Sequence, residues 1–119
     1  MKPLFLCYDR CSTCQKAQKW LDEQQIAYEK RPIKEQNPTA EELAAWQKKS
    51  GLPLRKFFNT SGMKYRELNL KDRLPQMEEE EMLSLLATDG MLVKRPLLIT
   101  PDAVIPGFRE EQWKDALRR

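Results

Sequence analysis

The chain has 119 residues, 40% of them hydrophobic and 33% charged, and its 21 basic and 18 acidic residues leave a net charge of +3. This composition excludes a disordered chain and predicts one globular domain. Because the charges are mixed along the whole length, we expect no direct binding to nucleic acid. No apolar run approaches the roughly 18–20 residues of a membrane helix, and the N-terminus lacks a signal-peptide cleavage site. The sequence therefore predicts a cytoplasmic protein that does not bind membranes.

The first part of the chain has the pattern of a strand, a helix and a second strand. Residues 4–8 form a short apolar run that predicts a buried strand. Residues 12–25 then carry apolar side chains at helical spacing. A second strand is expected where Ile26, Tyr28 and Ile33 alternate with mainly charged residues. Three such elements over ~30 residues predict a βαβ unit with parallel strands.

The middle of the chain, at about residues 37–90, is predicted to be helical. Thr39 and Glu42 have the spacing of a capping box, and Gly51 is placed to end the helix that they begin. A further helix is expected from the acidic run that starts at Glu78, since acidic residues favour the first turn of a helix. We find no good strand in this segment.

The last part of the chain predicts a hairpin and a final helix. The strands are expected at residues 96–100 and 103–105, and the amphipathic residues 110–117 predict the helix. The complete order is βαβ, helices and ββα, which is the thioredoxin-like arrangement of an α/β protein. We therefore predict a mixed four-stranded sheet flanked by helices, in a single domain over residues 1–119 with a helical insertion at about 37–90.

Cys11 and Cys14 form a CxxC motif between the first strand and the first helix. The chain has no histidine and one other cysteine, Cys7, so these two residue types fall one ligand short of the four that a structural zinc ion takes. We predict no metal site. Cys11 is the predicted nucleophile, because the N–H groups of a helix start favour a thiolate. Cys14 is the predicted resolving cysteine, Cys7 is expected in the core, and an inert buried pair is the alternative.

A second feature is the pair Arg95-Pro96, directly before the third strand. In thioredoxin folds the proline at this position is cis and lies across from the active-site cysteine. We therefore expect Pro96 to be cis and Arg95 to lie beside the Cys11 thiol. Arginine is suited to bidentate binding of an oxyanion, although Arg55, Arg95 and Arg109, each taken singly, are expected to be solvated surface charges.

Several segments make the sequence similar to the arsenate reductase (ArsC) family, in an ArsC-related, Spx-like branch with a CxxC motif. The segments are CSTCQKAQKWL, GLPLRKFFNTSG with YRELNL, DGMLVKRPLLI and VIPGFREEQW. The resemblance implies that Cys11 is the nucleophile and that Arg55, Arg95 and Arg109 hold an oxyanion. It implies no bound cofactor, and an external thiol reductant such as glutathione with glutaredoxin, or thioredoxin.

The sequence departs from the family's arsenate reductases at two places. Their His-Asn-Pro run is here Cys7-Tyr8-Asp9, which removes a histidine that helps to activate the thiol, and their Ser and Arg after the nucleophile are here Cys14 and Gln15. We therefore predict a monomeric, thiol-dependent oxidoreductase of unknown substrate, either a small oxyanion or a disulfide. One alternative is an Spx-type redox-sensing regulator that binds the alpha subunit of RNA polymerase. The other is an arsenate reductase proper.

Overall fold

The computed structural model describes residues 2–117, and its strands and helices follow the predicted order. The described residues form two compact units, one of residues 2–32 and 95–117 and the other of residues 33–94. The strands that the structure describes belong to the first unit. None of the described helices is long and apolar enough to cross a membrane.

The first unit is built on a mixed four-stranded sheet of order β2-β1-β3-β4. Its strands are β1 Leu4–Cys7, β2 Glu29–Pro32, β3 Leu97–Ile99 and β4 Val104–Pro106. β1 and β2 are parallel, whereas β3 is antiparallel to both of its neighbours. The predicted parallel βαβ pair and the predicted hairpin are therefore confirmed.

Two helices of this unit, α1 Ser12–Glu23 and α6 Glu110–Leu117, bury their apolar sides in one cluster with side chains of the sheet. Trp113 is fully buried, and its ring lies edge-on to that of Phe5 at 6.1 Å between centroids. The buried members of the cluster are Phe5, Cys7, Cys14, Ala17, Trp20, Leu21, Leu98 and Trp113. The helix that follows the CxxC motif is thus fixed to β1 by an apolar core.

The second strand begins later than the alternating pattern suggested. Gln25 has a left-handed φ of 58°, and the amide of Ile26 donates to the carbonyl of Leu21 at 3.1 Å. These contacts close the end of α1, so Ile26 still belongs to the turn. Pairing with β1 starts only at Glu29, and the prediction of a strand from Ile26 was wrong for this reason.

The second unit, residues 33–94, consists of short helices and turns. Its α-helices are α2 Ala40–Ser50, α3 Met63–Glu67, α4 Leu70–Arg73 and α5 Glu79–Leu86, and its 3-10 turns are Leu54–Phe57, Leu74–Gln76 and Gly90–Leu92. Thr39 and Glu42 form the predicted capping box of α2, which ends at Gly51 with a left-handed φ of 70°. Within the described part of this unit, β pairing is limited to one isolated bridge.

Candidate redox site at Cys11 and Cys14

Cys11 lies where the chain passes from β1 into α1. It is the N-cap residue of α1, with extended backbone angles of φ −89° and ψ 121°. Its amide donates to the carbonyl of Tyr8 at 3.0 Å, and its carbonyl accepts from the amide of Gln15 at 3.0 Å. The thiol is half-buried and belongs to the residue that precedes the first helical turn, whose N–H groups lack partners within the helix.

The surroundings of Cys11 favour its thiolate. Burial is the largest single influence and raises the pKa of the thiol. It is outweighed by the influence of the Cys14 amide, the Cys14 thiol and the Thr13 amide, together with the positive charge of Arg95, so that the net pKa is lowered. A partly exposed thiol with a lowered pKa is the usual form of a nucleophilic cysteine.

Cys14 has the opposite character. It is 2% exposed, and burial raises its pKa to about 12. The Tyr8 amide donates to its Sγ at 3.3 Å, which counteracts burial, while the neighbouring Cys11 raises the pKa further. Cys14 thus remains a thiol at a pH where Cys11 is ionised.

Cys7 lies in the core at the end of β1 and is 2% exposed, as predicted. Burial raises its pKa to about 11, although the charge of Lys30 opposes this effect. Lys30 itself pairs with Asp9 at 2.8 Å. Among residues 2–117, no three His, Cys, Asp or Glu side chains are grouped so that they could hold a metal ion.

Arg95 and Pro96 lie in the same unit as the two cysteines. The peptide bond between them is cis, which is the geometry expected at this position. The Cζ atom of Arg95 lies 5.2 Å from the centroid of the Tyr8 ring, in a cation–π contact. The charge of Arg95 acts on Cys11 from there.

Arg109 follows a turn that is hydrogen-bonded to Pro96. The Gly107 amide donates to the Pro96 carbonyl at 2.7 Å, and Gly107 has a φ of 83°, which favours glycine. Arg109 directly precedes α6, and its carbonyl accepts from the Trp113 amide at 2.9 Å. Its side chain is exposed, and its contact with a substrate stays a prediction.

Arg55 lies in the 3-10 turn Leu54–Phe57 of the second unit, and its side chain is exposed. The turn is held at its end by the Phe58 amide, which donates to the Arg55 carbonyl at 3.2 Å. The oxyanion-binding role of Arg55 stays a prediction that rests on the family resemblance.

Tyr8 is a site residue that sequence reasoning did not identify. The sequence marks it only as part of the run that replaces His-Asn-Pro. In the structure it contacts three groups of the site, since its carbonyl bonds to Cys11, its amide to Cys14 and its ring to Arg95. Its place three residues before Cys11 was a usable signal, but the contact with Arg95 depends on strand pairing that the sequence does not specify.

Comparison with known sequences matches the chain to the ArsC family and to related proteins. The sequence profile of the ArsC family matches residues 6–116. The uncharacterized protein YusI of Bacillus subtilis is 54% identical over 115 residues, covering 97% of this chain and 98% of YusI. The global transcriptional regulator Spx 2 of Bacillus cereus is 25% identical over 92% of this chain and 82% of its own length.

Solved structures share the fold over nearly the whole chain. An ArsC family-related protein from Bacteroides fragilis matches with a TM-score of 0.95 and 58% identity, covering 98% of both chains. A possible arsenate reductase from Streptococcus mutans matches with a TM-score of 0.86 and 43% identity, covering 94% of this chain and 97% of its own. The predicted thioredoxin-like fold, a mixed four-stranded sheet with flanking helices, is confirmed.

Proposed function

Because the chain belongs to the ArsC family, as its motifs predicted, we propose that it is a thiol-dependent oxidoreductase with Cys11 as nucleophile and Cys14 as resolving cysteine. The observation that carries this proposal is the contrast between the two thiols. Cys11 is half-buried and has a lowered pKa, whereas Cys14 is buried and has a pKa of about 12. The Cys11 thiol is therefore suited to attack a substrate, and the Cys14 thiol, one helical turn away, is suited to react in a later step.

In this proposal a disulfide substrate is reduced in two steps. The Cys11 thiolate attacks one sulfur of the substrate, a mixed disulfide forms, and the other sulfur leaves as a thiolate that takes up a proton. Cys14 then loses its proton and attacks the Cys11 sulfur, which releases the second half of the substrate as a thiol. The protein is left with a Cys11–Cys14 disulfide. Two equivalents of an external thiol, or a thiol reductant protein, return it to the dithiol.

The electrostatics of the resting site support attack by Cys14 only after Cys11 has reacted. In the resting site the pKa of Cys14 is raised by burial and then by the charge and hydrogen bond of the Cys11 thiolate. Once Cys11 is in a mixed disulfide, that charge is gone, while the Tyr8 amide still donates to Cys14 Sγ. The Cys14 thiolate therefore becomes easier to form once the mixed disulfide on Cys11 is present.

The substrate, either a small oxyanion or a disulfide, belongs to the same proposal. The positive charge of Arg95 acts on Cys11, which favours a substrate with negative charge near the reacting atom. Arg55 and Arg109 are the other proposed oxyanion ligands. We take the protein to act in the cytoplasm as a monomer and as a single domain, without a bound cofactor.

Two alternatives use the same cysteine pair. Similarity to Spx 2, a global transcriptional regulator, supports a redox-sensing regulator that binds the alpha subunit of RNA polymerase. In that case formation of the disulfide would change an interaction surface, and the protein would turn over no substrate. Similarity to a possible arsenate reductase supports arsenate as the substrate, with Cys11 as the attacking thiolate.

Mild oxidation with diamide is expected to form one intramolecular disulfide between Cys11 and Cys14. Trypsin should leave both cysteines in one peptide, residues 11–16, because it cleaves after Arg10 and Lys16, and Cys7 in the peptide that ends at Arg10. Mass spectrometry of the digest should show the loss of two hydrogens from the peptide 11–16 alone. Recovery of disulfides to Cys7, or between two chains, would contradict the proposal.

Enzyme and regulator are separated by two assays on the same preparation. Thiol-dependent reduction of a disulfide or of arsenate, weakened in Arg95→Ala, would support the oxidoreductase. Capture of the RNA polymerase alpha subunit that depends on the redox state of the protein, with no turnover of either substrate, would support the regulator.

A further inference from the structure

We propose that Tyr8 is a positioning residue that holds the Arg95 guanidinium beside Cys11, in a site that has no histidine to activate its thiol. This inference rests on the proposed function of Cys11. Tyr8 and Arg95 are both half-buried, and the Cζ atom of Arg95 lies 5.2 Å from the Tyr8 ring centroid. The same tyrosine accepts a hydrogen bond from the Cys11 amide at 3.0 Å.

Strand pairing explains why these two residues meet. β1 and β3 are antiparallel neighbours, and Leu6 of β1 lies opposite Leu97 of β3. Because the strands run in opposite directions, a step of two residues forward along β1, from Leu6 to Tyr8, corresponds to a step of two residues back from Leu97, to Arg95. Tyr8 and Arg95 therefore lie just beyond the last residues paired between the two strands, at the end of the sheet where the chain passes from β1 into α1.

The contact restricts the Arg95 side chain. An arginine side chain has many rotamers, and the effect of its charge on a thiolate falls with distance. The face of an aromatic ring attracts a guanidinium, which also stacks on it. With Arg95 held on the Tyr8 ring, its charge stays near Cys11, and Tyr8 acts on the thiol through Arg95 without touching the reacting sulfur.

The other groups near Cys11 do not obscure this effect. Cys14 on α1 and Cys7 on β1 are the titratable groups that interact with Cys11, and Arg95, two residues before β3, supplies the positive charge. Burial holds the pKa of Cys7 at about 11 and that of Cys14 at about 12. Near neutral pH, a thiol reagent therefore reports on Cys11.

The test compares Tyr8→Leu with Tyr8→Phe in the rate at which iodoacetamide modifies Cys11, followed as a function of pH. The leucine variant loses the ring, so at a pH below the Cys11 pKa its rate should fall about two- to fivefold, and the midpoint of its pH profile should rise. The phenylalanine variant keeps the ring and should retain the wild-type profile. In an Arg95→Gln background, Tyr8→Leu should have no further effect.

A wild-type profile in Tyr8→Leu would overturn this inference and leave the proposed function intact, provided that the wild-type midpoint is itself low. An equal loss in the Arg95→Gln background would also overturn it, because Tyr8 would then act by another route. A wild-type midpoint that is not lowered would instead reject the proposed function, and this inference with it. Circular dichroism checks that each variant is folded, and Tyr8→Met replaces the leucine variant if that one is not.

Discussion

Replacement of Cys11 by serine is expected to lower thiol-dependent turnover by on the order of a thousand-fold or more, because the reaction begins with attack by the Cys11 thiolate. A serine hydroxyl stays protonated in the same place and offers no comparable nucleophile. The measurement is the steady-state reduction of a small disulfide with an external thiol as reductant. Cys14→Ser is expected to behave differently, since Cys11 can still attack, and should accumulate a mixed disulfide on Cys11.

Cys7→Ser is the matched control for this prediction. Cys7 is buried in the same cluster as Cys14, and burial raises its pKa to about 11, so we assign it no chemical role. The folded variant should retain turnover of the wild-type order. Turnover that survives in Cys11→Ser, or that is lost equally in Cys7→Ser, would contradict the assignment of Cys11 as the nucleophile.

Trp113→Ala is expected to lower the free energy of unfolding by about 3–5 kcal/mol, as for other large buried aromatic residues. Trp113 is 0% exposed and packs edge-on against Phe108 at 4.9 Å between ring centroids. Its Nε1 also donates to the carbonyl of Gly107 at 3.0 Å, so the substitution removes both packing and a buried hydrogen bond. Urea unfolding followed by circular dichroism measures the change.

Trp113→Phe separates the two contributions. The ring contacts are largely kept, while the hydrogen bond to the Gly107 carbonyl is lost, which costs about 1 kcal/mol. A loss below about 1 kcal/mol in Trp113→Ala would mean that α6 contributes little to the core. Contacts other than those of Trp113 would then have to hold the turn that leads to Arg109.

Local signals in the sequence predicted most of the elements correctly. Thr39 and Glu42, which lie three positions apart, specify the start of α2, and Gly51 ends that helix by adopting a left-handed φ. The final helix, Glu110–Leu117, was predicted with its observed bounds. Such signals succeed because the hydrogen bonds that they depend on are formed between residues close in the chain.

Features that depend on contacts distant in the chain could not be predicted in the same way. The start of β2 at Glu29, and not at Ile26, depends on the pairing of Glu29 with Leu4 of β1. The contact of Tyr8 with Arg95 needs the register of β1 against β3, whose residues are some ninety positions apart. The CxxC motif identified the two cysteines, but their difference in exposure and pKa arises only when α1 packs on the sheet.

The most direct test of the central claim is the pH dependence with which iodoacetamide modifies the three cysteines of the reduced protein, resolved by peptide mapping. Only the thiolate reacts, so the rate rises with pH through the pKa and levels off above it. We predict that Cys11 reacts first, with a midpoint below the ordinary value of about 8.5, while Cys7 and Cys14 remain unmodified near neutral pH. A Cys11 midpoint at or above about 8.5, or faster modification of Cys14, would contradict the assignment.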